Sequence, residues 1–154
     1  MIGLFVFLSI YMAQINLFNT SDLSILRNRK KLKYFLIKTA VSYKRPILSL
    51  NIIFCDDEYL LSINKGFLAH NYYTDIITFD LSESTSDPIQ GELYISIERV
   101  KDNSKTHNQL FKDELHRVIF HGLLHLLGYK DKTQVDILKM KEMEDLLLSQ
   151  YFTN

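Results

Sequence analysis

An α+β domain, built on one mixed sheet of about four strands covered by helices, is the fold that this sequence predicts. Two observations predict it. Runs rich in β-branched and aromatic residues recur along the chain, and stretches with apolar residues at helical spacing lie before, between and after them. Gln14 to Phe18 alternates polar and apolar residues and reads as a short strand. Leu32, Phe35, Leu36, Ala40 and Val41 then recur at helical spacing, so an amphipathic helix is expected, ending near Pro46. Ile47 to Phe54 reads as a strand, and Asp56 or Asp57 can cap the helix that turns Leu60, Leu61 and Ile63 inward. Asp75 to Phe79 and Gly91 to Ile97 are two further strands, separated by the polar loop Ser82 to Gln90 with its Pro88. A helix is expected from Phe111 to Leu127, closed by Gly128 in a left-handed conformation, and a last one from Thr133 to Tyr151.

The chain has 154 residues, 47% of them hydrophobic and 23% charged, which describes an ordinary globular domain. No repeat or linker divides it, so residues 12–154 are expected to form a single domain. Residues 1–11 are almost wholly apolar, too short to span a bilayer, and lack the basic start and cleavage site of a signal peptide. We expect Met12 to be the natural start and residues 1–11 to be an over-extension of the reading frame. The single cysteine, Cys55, excludes an internal disulfide and fits a reducing, cytoplasmic compartment with no disulfide-linked partner. Net charge is zero, which argues against non-specific nucleic-acid binding, yet eight basic residues and no acidic ones lie between Arg27 and Arg45. That stretch, with Lys30, Lys31 and Lys33 on its helix, is a candidate surface for a phosphate backbone; a solvated helix face is the alternative.

The chemistry concentrates in His121-Gly-Leu-Leu-His125-Leu-Leu-Gly128-Tyr-Lys-Asp131. Histidines at i and i+4 sit one turn apart on one helix face and can reach a common ion. Gly128 ends the helix and lets the chain fold back, so that Asp131 can offer a third ligand from the loop. Two histidines and one carboxylate form a common set for catalytic zinc, with a fourth position left for water. The metal site is thus expected at a helix end. A zinc peptidase carries Glu after the first histidine, whereas Gly122 stands here, so peptidase activity is disfavoured. Glu114 and His116 are read as surface residues, with His116 turned about 140° from His121 around the helix. Arg117, one turn before His121, can reach phosphate or pair with Asp113.

Carried by that run, the chain resembles the YbeY family of bacterial endoribonucleases. Thr74-Asp75-Ile76-Ile77-Thr78-Phe79 and Gly91-Glu92-Leu93-Tyr94-Ile95-Ser96 resemble two of the family's strands, and the resemblance covers roughly Asn51 to Tyr151. It implies a metal-dependent, single-strand-specific endoribonuclease that matures the 3′ end of 16S ribosomal RNA, with the small ribosomal subunit as partner and no membrane. Glu92, Asp75 and His70 fall in or beside the matching segments and are the candidates for general base, a surface or strand-end polar role being the alternative for each; the nucleophile is water or the RNA's own 2′-hydroxyl. Two departures stand out. Most relatives carry His where Asp131 stands, and an arginine that the family often has aligns with Leu68; if it holds phosphate in relatives, Lys65, His70 or the basic helix must do so here. A ribosome-associated binding protein with a structural metal is the alternative, and a metallopeptidase the third.

Overall fold

The computed structural model describes residues 12–19 and 25–153; the expected over-extension at residues 1–11 lies outside them. Nine elements follow in order: β1 (Gln14–Asn19), α1 (Arg29–Ser42), β2 (Ile47–Cys55), α2 (Asp57–Leu68), β3 (Ile76–Asp80), β4 (Ile89–Ser96), α3 (Ile97–Thr106), α4 (Phe111–Leu126) and α5 (Gln134–Thr153). The strands form one mixed sheet in the order β1-β2-β4-β3. β1, β2 and β4 run parallel and β3 antiparallel to β4, so the expected mixed α+β architecture is present.

Strand alternation divides the sheet's residues between two faces. Leu50, Ile52 and Phe54 of β2, and Leu93 and Ile95 of β4, are fully buried and join one core with Leu32 and Leu36 of α1 and Ile119, Phe120 and Leu123 of α4. Their neighbours Asn51, Glu92 and Tyr94 turn to the opposite face, where Cys55, Leu60, Ile63 and Ile77 form a smaller cluster under α2. Cys55 is buried there, and burial pushes its thiol up to about 12.

Helix α4 lies unusually close to the sheet, and glycine makes the approach possible. A Cβ on Gly122 would sit 2.7 Å from Ile76 Cδ1 and 2.8 Å from Leu93 Cδ2; one on Gly91 would sit 2.9 Å from Leu126 Cδ1. Gly122 therefore faces the β3 and β4 side chains, and a larger residue there overpacks the core at about 1–3 kcal/mol. Arg45 fixes the end of the same helix: it is buried, bonds the Leu126 carbonyl and the Asp87 carbonyl, and pairs with Asp80 at 2.9 Å. Its place in the basic stretch is thus structural, and it is not part of a phosphate-binding surface.

Helix α3 is absent from the sequence expectation, which runs straight from the Gly91 strand to Phe111. Its sequence is too polar to show an apolar face, with only Val100 and Ser104 buried. Tertiary contacts hold it instead. Ser96 caps it by accepting from the Arg99 N–H at 3.1 Å, and Arg99 pairs with Asp57 of α2 at 2.7 Å. Asp56, one of the two expected caps of α2, accepts from the Tyr59 N–H at 2.8 Å.

Candidate metal centre

Helix α4 ends in a Schellman turn that the Gly128 expectation anticipated. Gly128 has φ of 96°, its N–H reaches the His125 carbonyl at 2.9 Å, and the Tyr129 N–H reaches the Leu124 carbonyl at 3.0 Å. Four residues later Thr133 and Asp136 close a reciprocal cap: the Asp136 N–H donates to Thr133 Oγ1 at 3.1 Å and the Thr133 N–H to Asp136 Oδ2 at 3.2 Å. The loop between these two fixed points carries Asp131 back over the histidines.

The three side chains converge. His121 Nε2 and His125 Nε2 are 2.9 Å apart, and Asp131 Oδ2 lies 3.7 Å from the first and 3.4 Å from the second. Among the described residues these three offer ligand atoms that all fall within 4.8 Å of one another. Zinc bonds of about 2.0–2.1 Å in a tetrahedron separate neighbouring ligand atoms by about 3.3 Å, which the three distances bracket.

Proton placement strengthens the fit. His121 Nδ1 lies 2.7 Å from Glu144 Oε1, and His125 Nδ1 lies 3.0 Å from the Tyr129 carbonyl. Both partners can only accept, so each Nδ1 carries the proton and each neutral ring presents an Nε2 lone pair. Two lone pairs and a carboxylate oxygen thus point at one spot with no donor among them. That arrangement suits a cation, and among the described residues it is the group that could hold one. Burial works against charge on His121, but the hydrogen bond and charge of Glu144, together with Asp75 and Asp131, raise its proton affinity above the ordinary histidine value.

Glu144 belongs to a network that sequence reasoning missed. On α5, its Oε2 is 3.2 Å from Arg117 Nη1, and Arg117 also reaches Asp145 at 2.7 Å and Glu114 at 3.9 Å. Arg117 therefore pairs with acids of α5 and its own helix and not with Asp113. Glu114 is not on the surface: it is 3% exposed, its Oε2 has no hydrogen bond, and burial raises its carboxyl. A signal for it existed, since residues 114, 117, 121 and 125 form one stripe at helical spacing.

His116 is buried as well, because the α5 end packs over it: its ring stacks on Tyr151 at 4.7 Å and its Nδ1 donates to the Lys112 carbonyl at 2.6 Å. It takes no part in the metal group, as its angle on the helix requires. Burial lowers its pKa from the ordinary value near 6.5. Between that lowered value and about 6.5 the unfolded chain binds a proton that the folded one does not, so stability is full above about 6.5 and falls as pH drops. In metal-free protein, wild type should lose stability relative to His116→Phe from pH 7.5 to 5.5, by at most about 1.4 kcal/mol per pH unit. Parallel thermal-midpoint curves would reject this.

A cleft of about 850 Å³ opens beside the metal group. His70, Asp75 and Arg117 line it, as do Asn103, His107, Glu114, Lys132 and Glu144. Asp75 is held by the Asn103 amide at 3.0 Å. Glu92, by contrast, lies on the opposite sheet face, where Asn51 donates to it at 3.3 Å and Tyr94 at 2.8 Å. The sheet itself separates Glu92 from the histidines, which removes it as a base. Lys30, Lys31 and Lys33 sit on α1 and Lys65 on α2; none lines the cleft. Lys31 Nζ lies 4.8 Å over the Tyr151 ring.

Known proteins share this arrangement of sequence and fold. The profile of the family described as Endoribonuclease YbeY matches residues 16–152. A protein of Cytophaga hutchinsonii named Endoribonuclease YbeY is 54% identical over 124 residues, 80% of this chain and 86% of that one. One of the same name from Porphyromonas gingivalis is 41% identical over 138 residues, 89% of either chain. A solution structure from Thermotoga maritima matches with a TM-score of 0.65 at 25% identity, over 91% of this chain and 90% of that one.

Proposed function

The chain belongs to the YbeY family of endoribonucleases, and from that premise we propose that it cleaves single-stranded RNA in the cleft beside His121, His125 and Asp131. The substrate in the cell is ribosomal RNA, near the 3′ end of the 16S molecule, with the small subunit as partner and the cytoplasm as the place of action. The single observation that carries the site is the convergence of two Nε2 lone pairs and one carboxylate oxygen on one point, all within 4.8 Å.

Zinc is the ion we propose, on the donor set of two imidazoles and one carboxylate. When bound, such an ion supplies Lewis acidity toward a phosphoryl oxygen and lowers the pKa of water. The protein's own groups prepare the site for it. Glu144 and the Tyr129 carbonyl fix both histidine tautomers before the ion arrives, so little reorganisation accompanies binding. Asp131 adds a negative charge, which moderates the pull on bound water relative to a third imidazole. Asp75 and His70 remain as proton acceptors in the cleft, Asp75 being held in place by Asn103. Arg117, bound to three carboxylates, positions Glu144 and is not a free anion site. A side chain at Gly122 would meet Ile76 and Leu93 in the core, so a glutamate there would start toward the sheet.

Cleavage of a labelled single-stranded RNA tests the proposal. Wild type should cut it, and His121→Ala and His125→Ala should lower the rate at least about a hundredfold, as loss of a metal that stabilises developing charge does. Equal cleavage by all three proteins would place the activity elsewhere and leave the centre structural.

A further inference from the structure

We propose that His70 and Tyr72 form a stacking platform for an unpaired nucleobase of the RNA, a role that rests on the reading of the cleft as the RNA site. Both residues line the cleft of the metal group. Their rings stack, with centroids 5.1 Å apart and planes inclined by 23°, and Tyr72 Oη lies 3.0 Å from His70 Nδ1. Tyr72 rests one ring face on the imidazole and is still 57% exposed, which leaves surface for a second stacking partner.

The pair is held in place from below. Asn64 is 2% exposed; its carbonyl accepts the His70 N–H at 3.2 Å and its side-chain amide donates to the Tyr72 carbonyl at 2.8 Å. Ala69, in left-handed conformation with φ of 56°, makes the turn that brings His70 over Asn64. The next residue serves as an internal contrast. Tyr73 donates its hydroxyl to Glu58 at 2.7 Å and has the Arg99 guanidinium 5.4 Å over its ring, so its polar and π groups already have partners.

Charge decides between a base and a phosphate as occupant. Asp75, Asp80, Glu114, Asp131 and Glu144 line the cleft with two permanent cations, Arg117 and Lys132; Arg45 behind the wall neutralises Asp80, and Arg117 is spent on Glu144, Asp145 and Glu114. Away from the ion that would engage the scissile phosphate, such a wall disfavours a further phosphate, while a neutral base meets an aromatic face without that penalty. Stacking of this kind is worth about 1–3 kcal/mol per base and requires a base out of its helix, which ties the platform to single-stranded substrate.

Steady-state cleavage of a short single-stranded RNA by metal-loaded protein tests this, with an abasic version of the same RNA as second substrate. Tyr72→Ala should raise KM by about 5- to 150-fold, the stacking increment converted to a ratio, while Tyr72→Phe stays near wild type because the ring remains. The abasic RNA, with the missing base at the stacking position found by scanning, should cost wild type the same factor and Tyr72→Ala much less. A wild-type KM in Tyr72→Ala, or equal losses in the alanine and phenylalanine variants, would overturn the platform and leave the RNA site standing. Absence of cleavage by wild type would overturn both.

Discussion

Alanine at His121 or His125 should erase the metal-dependent part of the protein's thermal stability. An ion that binds only the folded chain stabilises it by mass action, about 4 kcal/mol at a thousand times its dissociation constant. For a domain of this length that corresponds to roughly 8–16 °C in the midpoint, at about 2–4 °C per kcal/mol. Wild type should therefore unfold well above its chelator-treated form when zinc is added, and the two alanine variants should give superimposed curves with and without zinc. The reason is geometric. Each histidine supplies one of three convergent ligand atoms, and the pair left behind is a single imidazole with an exposed aspartate. A zinc-dependent midpoint that persists in both variants would mean that zinc binds elsewhere.

Truncating Glu144 should weaken metal binding without touching a ligand. Its carboxylate holds the Nδ1 proton of His121 at 2.7 Å and is itself held by Arg117 at 3.2 Å, so His121 presents Nε2 in one orientation and one tautomer. Loss of such a carboxylate costs about 10- to 100-fold in metal affinity in comparable sites. Glu144→Ala should show that loss in a competition titration against a chromophoric chelator. Glu144→Gln, which keeps an acceptor oxygen but not the charge, should fall between the alanine variant and wild type. Unchanged affinity in Glu144→Ala would show that the helix alone orients His121.

The contrast between these two residues marks what the sequence made legible. His121, His125, Gly128 and Asp131 follow from local rules: helical periodicity aligns the imidazoles, and a left-handed glycine turns the chain back within three residues of the aspartate. Glu144 obeys no local rule. It reaches His121 only because α5 packs on α4, and the contact depends on the course of a loop and the phase of two helices. The same reason hides the α5 partners of Arg117, Glu144 and Asp145.

The sheet was legible as strands, although their spatial order was not. Insertion of β4 between β2 and β3, with β3 antiparallel, depends on crossovers that alternation does not encode. Direction along a strand was within reach, however. Leu93 and Ile95 are apolar and alternate with Glu92 and Tyr94, so a core-facing Leu93 already turned Glu92 to the other face. The resemblance drew attention to Glu92, and strand parity removes it from the metal side. Helix α3 was illegible for the opposite reason: it is polar nearly throughout, and the Ser96 cap, the buried Val100 and the Arg99–Asp57 pair hold it.

Everything about the chemistry depends on the ion being held by two imidazoles and a carboxylate at the end of α4. X-ray absorption spectroscopy of zinc-loaded protein measures that ligand set directly. The account predicts two imidazole nitrogens at about 2.0–2.1 Å with the remaining positions filled by oxygen. A first shell containing sulfur, or fewer than two imidazoles, would contradict it.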